Sequence, residues 1–133
     1  MFPMFFNSPI SSETADRLVR RMEFRSSGRA LDAGCGTGEF LLRVVAHHEM
    51  RGLGIDQDPR CISAAMAAAS ARGLAARCEF CAGDVKALEK KPSMFDLGIC
   101  IGSTHAFGVG DAAYPNAIDS LKHLVRPGGI VLS

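Results

Sequence analysis

Leu31-Asp32-Ala33-Gly34-Cys35-Gly36-Thr37-Gly38 is the stretch on which the fold of this chain turns. Three glycines alternate directly after the short apolar segment Arg29-Ala30-Leu31-Asp32. They stand directly before Glu39 to His48, where Phe40, Leu41, Val44 and Val45 recur on one helical face. A strand entering a helix through such a turn needs backbone conformations that glycine tolerates, and a ligand can approach there without meeting a Cβ. The helix start offers free N–H groups to negative charge. The spacing discriminates further. A dinucleotide loop, G-x-G-x-x-G from Gly34, would need glycine at position 39, where this chain has Glu39. The pattern is G-x-G-x-G, preceded by Asp32.

Working outward, helical periods alternate with short apolar runs, as in a parallel sheet built from βαβ units. A first helix is expected over about Glu13 to Phe24, capped by Ser11 or Ser12, with Ala15, Leu18, Val19 and Met22 inward. The strand at 29–32, the glycine turn and the helix at 39–48 follow. A second strand is Gly52 to Asp56. Pro59 opens a helix over 59–72 that places Ile62, Ala65, Met66 and Ala69 inward. A third strand is Cys78 to Ala82. A fourth, Phe95 to Ile101, is an almost continuous apolar run, as for a strand covered on both faces. A helix from about Ala113 to Val125 places Ala117, Leu121, Leu124 and Val125 inward. Pro127-Gly128-Gly129 ends it and leads into a fifth strand running to Ser133.

Acids stand after three successive strands in register with the glycine turn. Asp32 precedes the loop, Asp56 ends the second strand and Asp84 follows the third. An acid at the second strand end can accept from the two hydroxyls of a ribose, and one at the third from an exocyclic amino group. Each aspartate alone reads equally well as a cap or turn residue. Together they lie where open α/β sheets bind ligands, outside the carboxyl ends of the strands.

The 133 residues suit one domain, with 47% hydrophobic and 22% charged residues. Fifteen Lys+Arg against fourteen Asp+Glu leave a net charge of +1, which argues against a dedicated nucleic-acid partner. No apolar run approaches the roughly 18 residues of a membrane span. The start, Met1-Phe2-Pro3-Met4-Phe5-Phe6, is too short and lacks the basic residues of an export signal; its alternative reading is a lid segment. Five cysteines without such a signal point to reduced thiols in the cytoplasm. Cys78 and Cys81 form a lone C-x-x-C with no second pair at zinc spacing, so two structural thiols are expected and no metal.

The chain resembles the class I S-adenosylmethionine-dependent methyltransferases in Leu31 to Gly38, Gly54-Ile55-Asp56, Gly83-Asp84, Phe95-Asp96-Leu97 and Val125-Arg126-Pro127-Gly128-Gly129. The resemblance runs from about residue 29 to the end. It implies an α/β, three-layer αβα Rossmann-like fold with a mostly parallel sheet, and S-adenosyl-L-methionine as cofactor, with S-adenosyl-L-homocysteine as product. It further implies that Asp32 orients the methionine amino group, and that Gly34, Cys35, Gly36 and Gly38 form the cofactor loop. Asp56 would hold the ribose, with Ile55 and Gln57 flanking the adenosine. Asp84 and the Val85 backbone would meet the adenine, and Gly102 would pass the methionine part. The family's sheet continues into a final antiparallel strand pair that is missing here, so a C-terminally truncated domain is expected. Its fifth strand would be a bare apolar edge over Ile130-Val131-Leu132, prone to self-association. Residues 1–28 read as a segment and helix over the cofactor site, and 29–133 as the cofactor-binding core.

Methyl transfer needs an aligned nucleophile, exclusion of water and, for a protonated nucleophile, a base. His105, in the stretch after the fourth strand, is the candidate base by its near-neutral pKa. Its plainer reading is a cap or core histidine. Asp111 and Tyr114 flank the same mouth. No Asn-Pro-Pro-aromatic motif follows the fourth strand, which turns the expectation toward a small-molecule acceptor. The alternatives are a non-catalytic or truncated cofactor-binding module and, less favoured, an NAD(P)-dependent oxidoreductase.

Overall fold

A computed structural model describes residues 2–4, 12–23, 28–85, 94–100 and 113–132. Its elements are Phe2–Met4 (β1), Ser12–Arg21 (α1), Arg29–Ala33 (β2), Glu39–His48 (α2) and Arg51–Asp56 (β3). Pro59–Ala71 (α3), Cys78–Ala82 (β4), Phe95–Ile99 (β5), Ala113–Leu124 (α4) and Val125–Leu132 (β6) follow. The six strands form one sheet in the order β1-β6-β5-β2-β3-β4, and every neighbouring pair is parallel.

From β2 the chain winds outward through α2 and α3 to β4, then returns to the other side of β2 to form β5 and β6. The strand order therefore reverses between β2 and β5, where ligands enter such sheets. Successive side chains point to opposite faces and build two cores. One packs Val19, Met22, Leu41, Val44, Val45, Leu97 and Ile99, joining α1 and α2 to the sheet. The other packs Leu31, Ala33, Ile55, Phe95, Leu121, Leu124 and Val131 beneath α4. Helix α1 is moored on α2 by Arg43 Nη1 to Asp16 Oδ1 at 2.6 Å and by His48 Nε2 against the Val19 carbonyl at 2.5 Å. Arg43 also meets Glu39, whose carboxyl Arg72 and Arg43 hold below its ordinary pKa.

The elements expected between residues 12 and 100 form, with ends displaced by at most three residues. Helix α1 stops at Arg21, short of Phe24, and β5 runs to Ile99 rather than Ile101. Met66, expected inward, is 56% exposed, because the α3 face turned to the sheet is Ile62, Ala65 and Ala69. The larger differences concern the two ends of the sheet. Residues 127–129 do not separate α4 from the last strand. They lie within β6, where Phe95 pairs with Val125 while Leu97 pairs with Ile130, so Arg126–Gly129 bulge opposite Asp96. Pro127 has no N–H for the ladder and Gly128 takes φ 85°, both suited to a bulge. Asp96 clamps this region: its Oδ2 accepts from Arg29 N at 2.8 Å, and its other oxygen meets Arg126 Nε.

The apolar edge Ile130–Leu132, expected to be bare, is covered. Phe2, Pro3 and Met4 pair with Ile130, Val131 and Leu132. An edge strand is where a proline is tolerated. Among the described residues no helix is long and apolar enough to cross a membrane.

Candidate functional site

The glycine turn joins β2 to α2 at the carboxyl end of the sheet. Gly34, Gly36 and Gly38 take φ of 73°, 56° and 80°, a region disfavoured for residues with a Cβ. The turn is tied to the neighbouring strand, since Gly34 N and Cys35 N both donate to the Ile55 carbonyl, at 2.7 and 3.0 Å. Gly38 stands at the N-cap of α2 with no side chain to cap it, so the helix start keeps donors for another group.

Asp56 wires the loop in a way its position alone does not reveal. Its Oδ2 accepts from Gly36 N at 2.9 Å and its Oδ1 from Asp58 N at 2.9 Å. Its carbonyl accepts from Gly83 N at 2.9 Å, which draws in the turn that carries Asp84. One carboxylate thus holds the glycine turn, the start of α3 and, through its own backbone, the end of β4. Each carboxylate oxygen has two lone pairs, so each retains an acceptor site after these bonds. Asp58 caps α3 by accepting from Arg60 N at 2.9 Å, with Pro59 in the first turn.

Asp32 is buried, at 4% exposed. Burial first, and the charge of Asp56 second, push its carboxyl well above the ordinary range. Burial also raises the Cys35 thiol, with Asp32 and Asp56 adding to it, and lifts Cys100 to about 12. Both are held as neutral thiols at physiological pH, which disfavours a nucleophilic role.

Asp32, Gly34, Cys35, Gly36, Gly38, Asp56, Gln57, Asp84 and Val85 are therefore gathered at one end of three adjacent strands. Gln57 and Asp84 are exposed there, and Val85 is buried. Gly102, His105 and Asp111 lie outside the described residues, as does the side chain of Tyr114. All five cysteines are free; Cys78 is buried and Cys81 exposed. Three residues apart on a strand, they face opposite sides of the sheet. Among the described residues no group of His, Cys, Asp and Glu is placed to hold a metal ion.

Phe80 is the site residue that sequence reading passed over as strand filler. A Cβ on Gly54 would lie 2.6 Å from Phe80 Cδ1 and 2.9 Å from Cys35 Sγ, and one on Gly38 would lie 3.0 Å from Phe80 Cε1. The Phe80 ring therefore fills the slot beneath the turn that these two glycines leave open. The signal was present in Gly54-Ile55-Asp56, where a glycine interrupts an otherwise apolar strand. At Gly36, in contrast, a Cβ would meet nothing within 4 Å, so that part of the turn faces open space.

Residues 30–129 match the model of the methyltransferase domain family. The Escherichia coli (strain K12) protein YjhP, described as uncharacterized, is 28% identical over 126 residues, or 95% of this chain and 49% of YjhP. The crystal structure of an S-adenosylmethionine-dependent methyltransferase from Geobacter sulfurreducens, in complex with S-adenosyl-L-homocysteine, superposes with a TM-score of 0.77 at 29% identity. That match covers 96% of this chain and 49% of the other. The corresponding enzyme from Thiobacillus denitrificans, also with S-adenosyl-L-homocysteine, gives 0.78 at 28% identity over 96% and 50% of the two chains. This chain spans about half the length of these relatives. The parallel αβα sheet and the glycine turn carry the same assignment as the match over residues 30–129: the chain belongs to the methyltransferase domain family, with its class I Rossmann-like fold.

Proposed function

We propose that this chain binds S-adenosyl-L-methionine and is the cofactor-binding part of a methyltransferase acting on a small-molecule acceptor, with S-adenosyl-L-homocysteine as product. The observation that carries the reading is the joint geometry of Asp32 and Asp56 around a glycine turn with open space at Gly36. The residues fit the cofactor. Asp56 has acceptor capacity left on both oxygens for a ribose diol. Asp32 is a buried carboxyl with a raised pKa, and an ammonium group beside it would favour its ionised form. Asp84 and Val85 follow β4, where an adenine amino group would be met. When bound, the cofactor supplies an electrophilic sulfonium methyl. The chain's own part is to orient it through Asp32 and Asp56 and to exclude water with the Gly34–Gly38 turn.

Two relatives with this fold carry S-adenosyl-L-homocysteine in their crystals, which supports the cofactor. The small-molecule acceptor is supported by the near-neutral charge of the chain. Gly102 keeps its proposed place beside the methionine part, and His105 its place as base. A cytoplasmic setting is supported by five free cysteines. Self-association would use the outer edge of β1, since β6 is paired on both sides.

Titration calorimetry of the intact chain with S-adenosyl-L-methionine, S-adenosyl-L-homocysteine and NAD tests the reading. Affinities on the order of micromolar for the first two are expected. Heat with NAD and none with either of the others would replace the reading with an oxidoreductase. Binding without turnover in the full-length protein would leave a cofactor-binding module.

A further inference from the structure

The opposite end of the same three strands is basic. Arg29 opens β2 and pairs in register with Arg51, which opens β3. Arg77 immediately precedes β4, and its carbonyl accepts from Gly52 N at 2.8 Å, which places it beside Arg51. Three arginines thus stand side by side at strand spacings of about 4.8 Å. Like charges in adjacent cross-strand positions are unfavourable, so pairing along the sheet does not account for the row. Arg43, Arg72 and Arg126 each sit on a carboxylate, whereas among the described residues no ion pair engages the side chain of Arg29, Arg51 or Arg77. Arg77 spends one guanidinium nitrogen on the Val45 carbonyl at 3.2 Å.

The three arginines line one cavity of about 390 Å³, together with Glu79, Leu53 and Met94. That volume is in the range of small-molecule sites. Among the described residues its lining includes three arginines and a single carboxylate, with the Arg77 side chain turned to Val45. Half-buried Leu53 and Met94 give it an apolar wall. The cavity lies about 15 Å from the glycine turn, the length of a five-residue strand.

We propose that this cavity is a second site, for a phosphomonoester, at the amino end of the sheet. Planar guanidinium forks, here those of Arg29 and Arg51, suit the oxygens of a phosphate dianion. The body of the ligand lies on Leu53 and Met94, with Glu79 accepting from a hydroxyl of that body. The recessed position favours a small phosphorylated molecule over a nucleic-acid backbone.

The test is calorimetric titration of the intact chain with inorganic phosphate and with phenyl phosphate in sulfate-free buffer. Saturable 1:1 binding of both is expected, with phenyl phosphate tighter by roughly threefold or more through its apolar contact. Arg51→Gln should weaken both by about tenfold or more, and S-adenosyl-L-homocysteine binding should stay unchanged. Should that variant fail to fold, Arg29→Gln provides the same test. No saturation, equal affinity for the two probes, or affinity preserved in both arginine variants would overturn the proposal. Competition between phenyl phosphate and S-adenosyl-L-homocysteine would also overturn it, by placing the anion at the glycine turn. The phosphate titration is read independently of whether the chain binds S-adenosyl-L-homocysteine.

Discussion

The strands β2, β3 and β4 carry opposite chemistry at their two ends. At the carboxyl end stand Asp32, Asp56 and, after the following turn, Asp84; at the amino end stand Arg29, Arg51 and Arg77. The helices explain the polarity. In βαβ units the N-terminus of each helix lies at the carboxyl ends of the strands, and its C-terminus lies at their amino ends. Acids therefore face the positive helix ends and arginines the negative ones. Arg77 makes the second contact directly, by donating to Val45 near the end of α2. The two ends differ in what is done with the charge. Asp56 is bonded through both oxygens and Asp32 is sealed in, whereas Arg29 and Arg51 are exposed. A buried charge end is a place with fixed geometry, while an exposed one can recruit a ligand without reorganising the fold.

The steric fit under the acidic end should give the largest effect. Gly54→Ala puts a Cβ 2.6 Å from the Phe80 ring and 2.9 Å from Cys35 Sγ. A stability loss of about 1–3 kcal/mol is expected by urea unfolding, with at least a tenfold loss of S-adenosyl-L-homocysteine affinity as the turn shifts. Adding Phe80→Leu should recover part of both. Full affinity in the single variant would show that the turn does not depend on the ring.

Asp56→Ala comes next. It removes the acceptor for Gly36 N and Asp58 N. Calorimetry should show about 1–3 kcal/mol less binding free energy for S-adenosyl-L-homocysteine, and unfolding about 1 kcal/mol less stability. Lost stability with unchanged affinity would leave Asp56 a purely structural clamp.

Asp32 tests the acidic end through pH. Its folded pKa lies above its unfolded value, so the folded state binds more protons between the two. Its stabilising effect is full below about 3.9 and is lost as pH rises through the folded pKa. Relative to Asp32→Asn, the wild type should therefore lose stability as pH rises across that window in unfolding titrations without ligand. Curves that stay parallel would show that Asp32 is not buried as described.

The smallest effect is expected at the basic end. Arg29→Gln should change stability by no more than about 0.5 kcal/mol, since its side chain is exposed and makes no ion pair among the described residues. A loss of several times that would reveal a structural partner and undo the contrast between the two ends.

Much of this was legible in the chain. The helical period of Phe40, Leu41, Val44 and Val45, the alternating glycines and the aspartates after three strands are local patterns, and they led to the sheet and to one side of the site. The arginine row was equally present in the letters, but its meaning depends on register, which brings residues 29, 51 and 77 together across three strands. The Phe80 ring beneath Gly38 and Gly54 depends on the depth of a turn, which no local pattern records. Pro127-Gly128-Gly129 reads as a helix end in the sequence because proline and glycine commonly mark one; the pairing of Val125 with Phe95 makes it part of a bulge instead.

By itself the sequence determined the kinds of element, their order and the residues at strand ends, because periodicity and turn chemistry act over a few neighbouring residues. Tertiary structure alone decided that Phe2–Met4 closes the β6 edge and that Asp56 secures the turn beside it. It also decided that acids and arginines occupy opposite ends of one sheet as two separate surfaces. Those outcomes depend on hydrogen-bond pairing and close packing between residues 20 to 130 positions apart, a distance over which local preference carries no information.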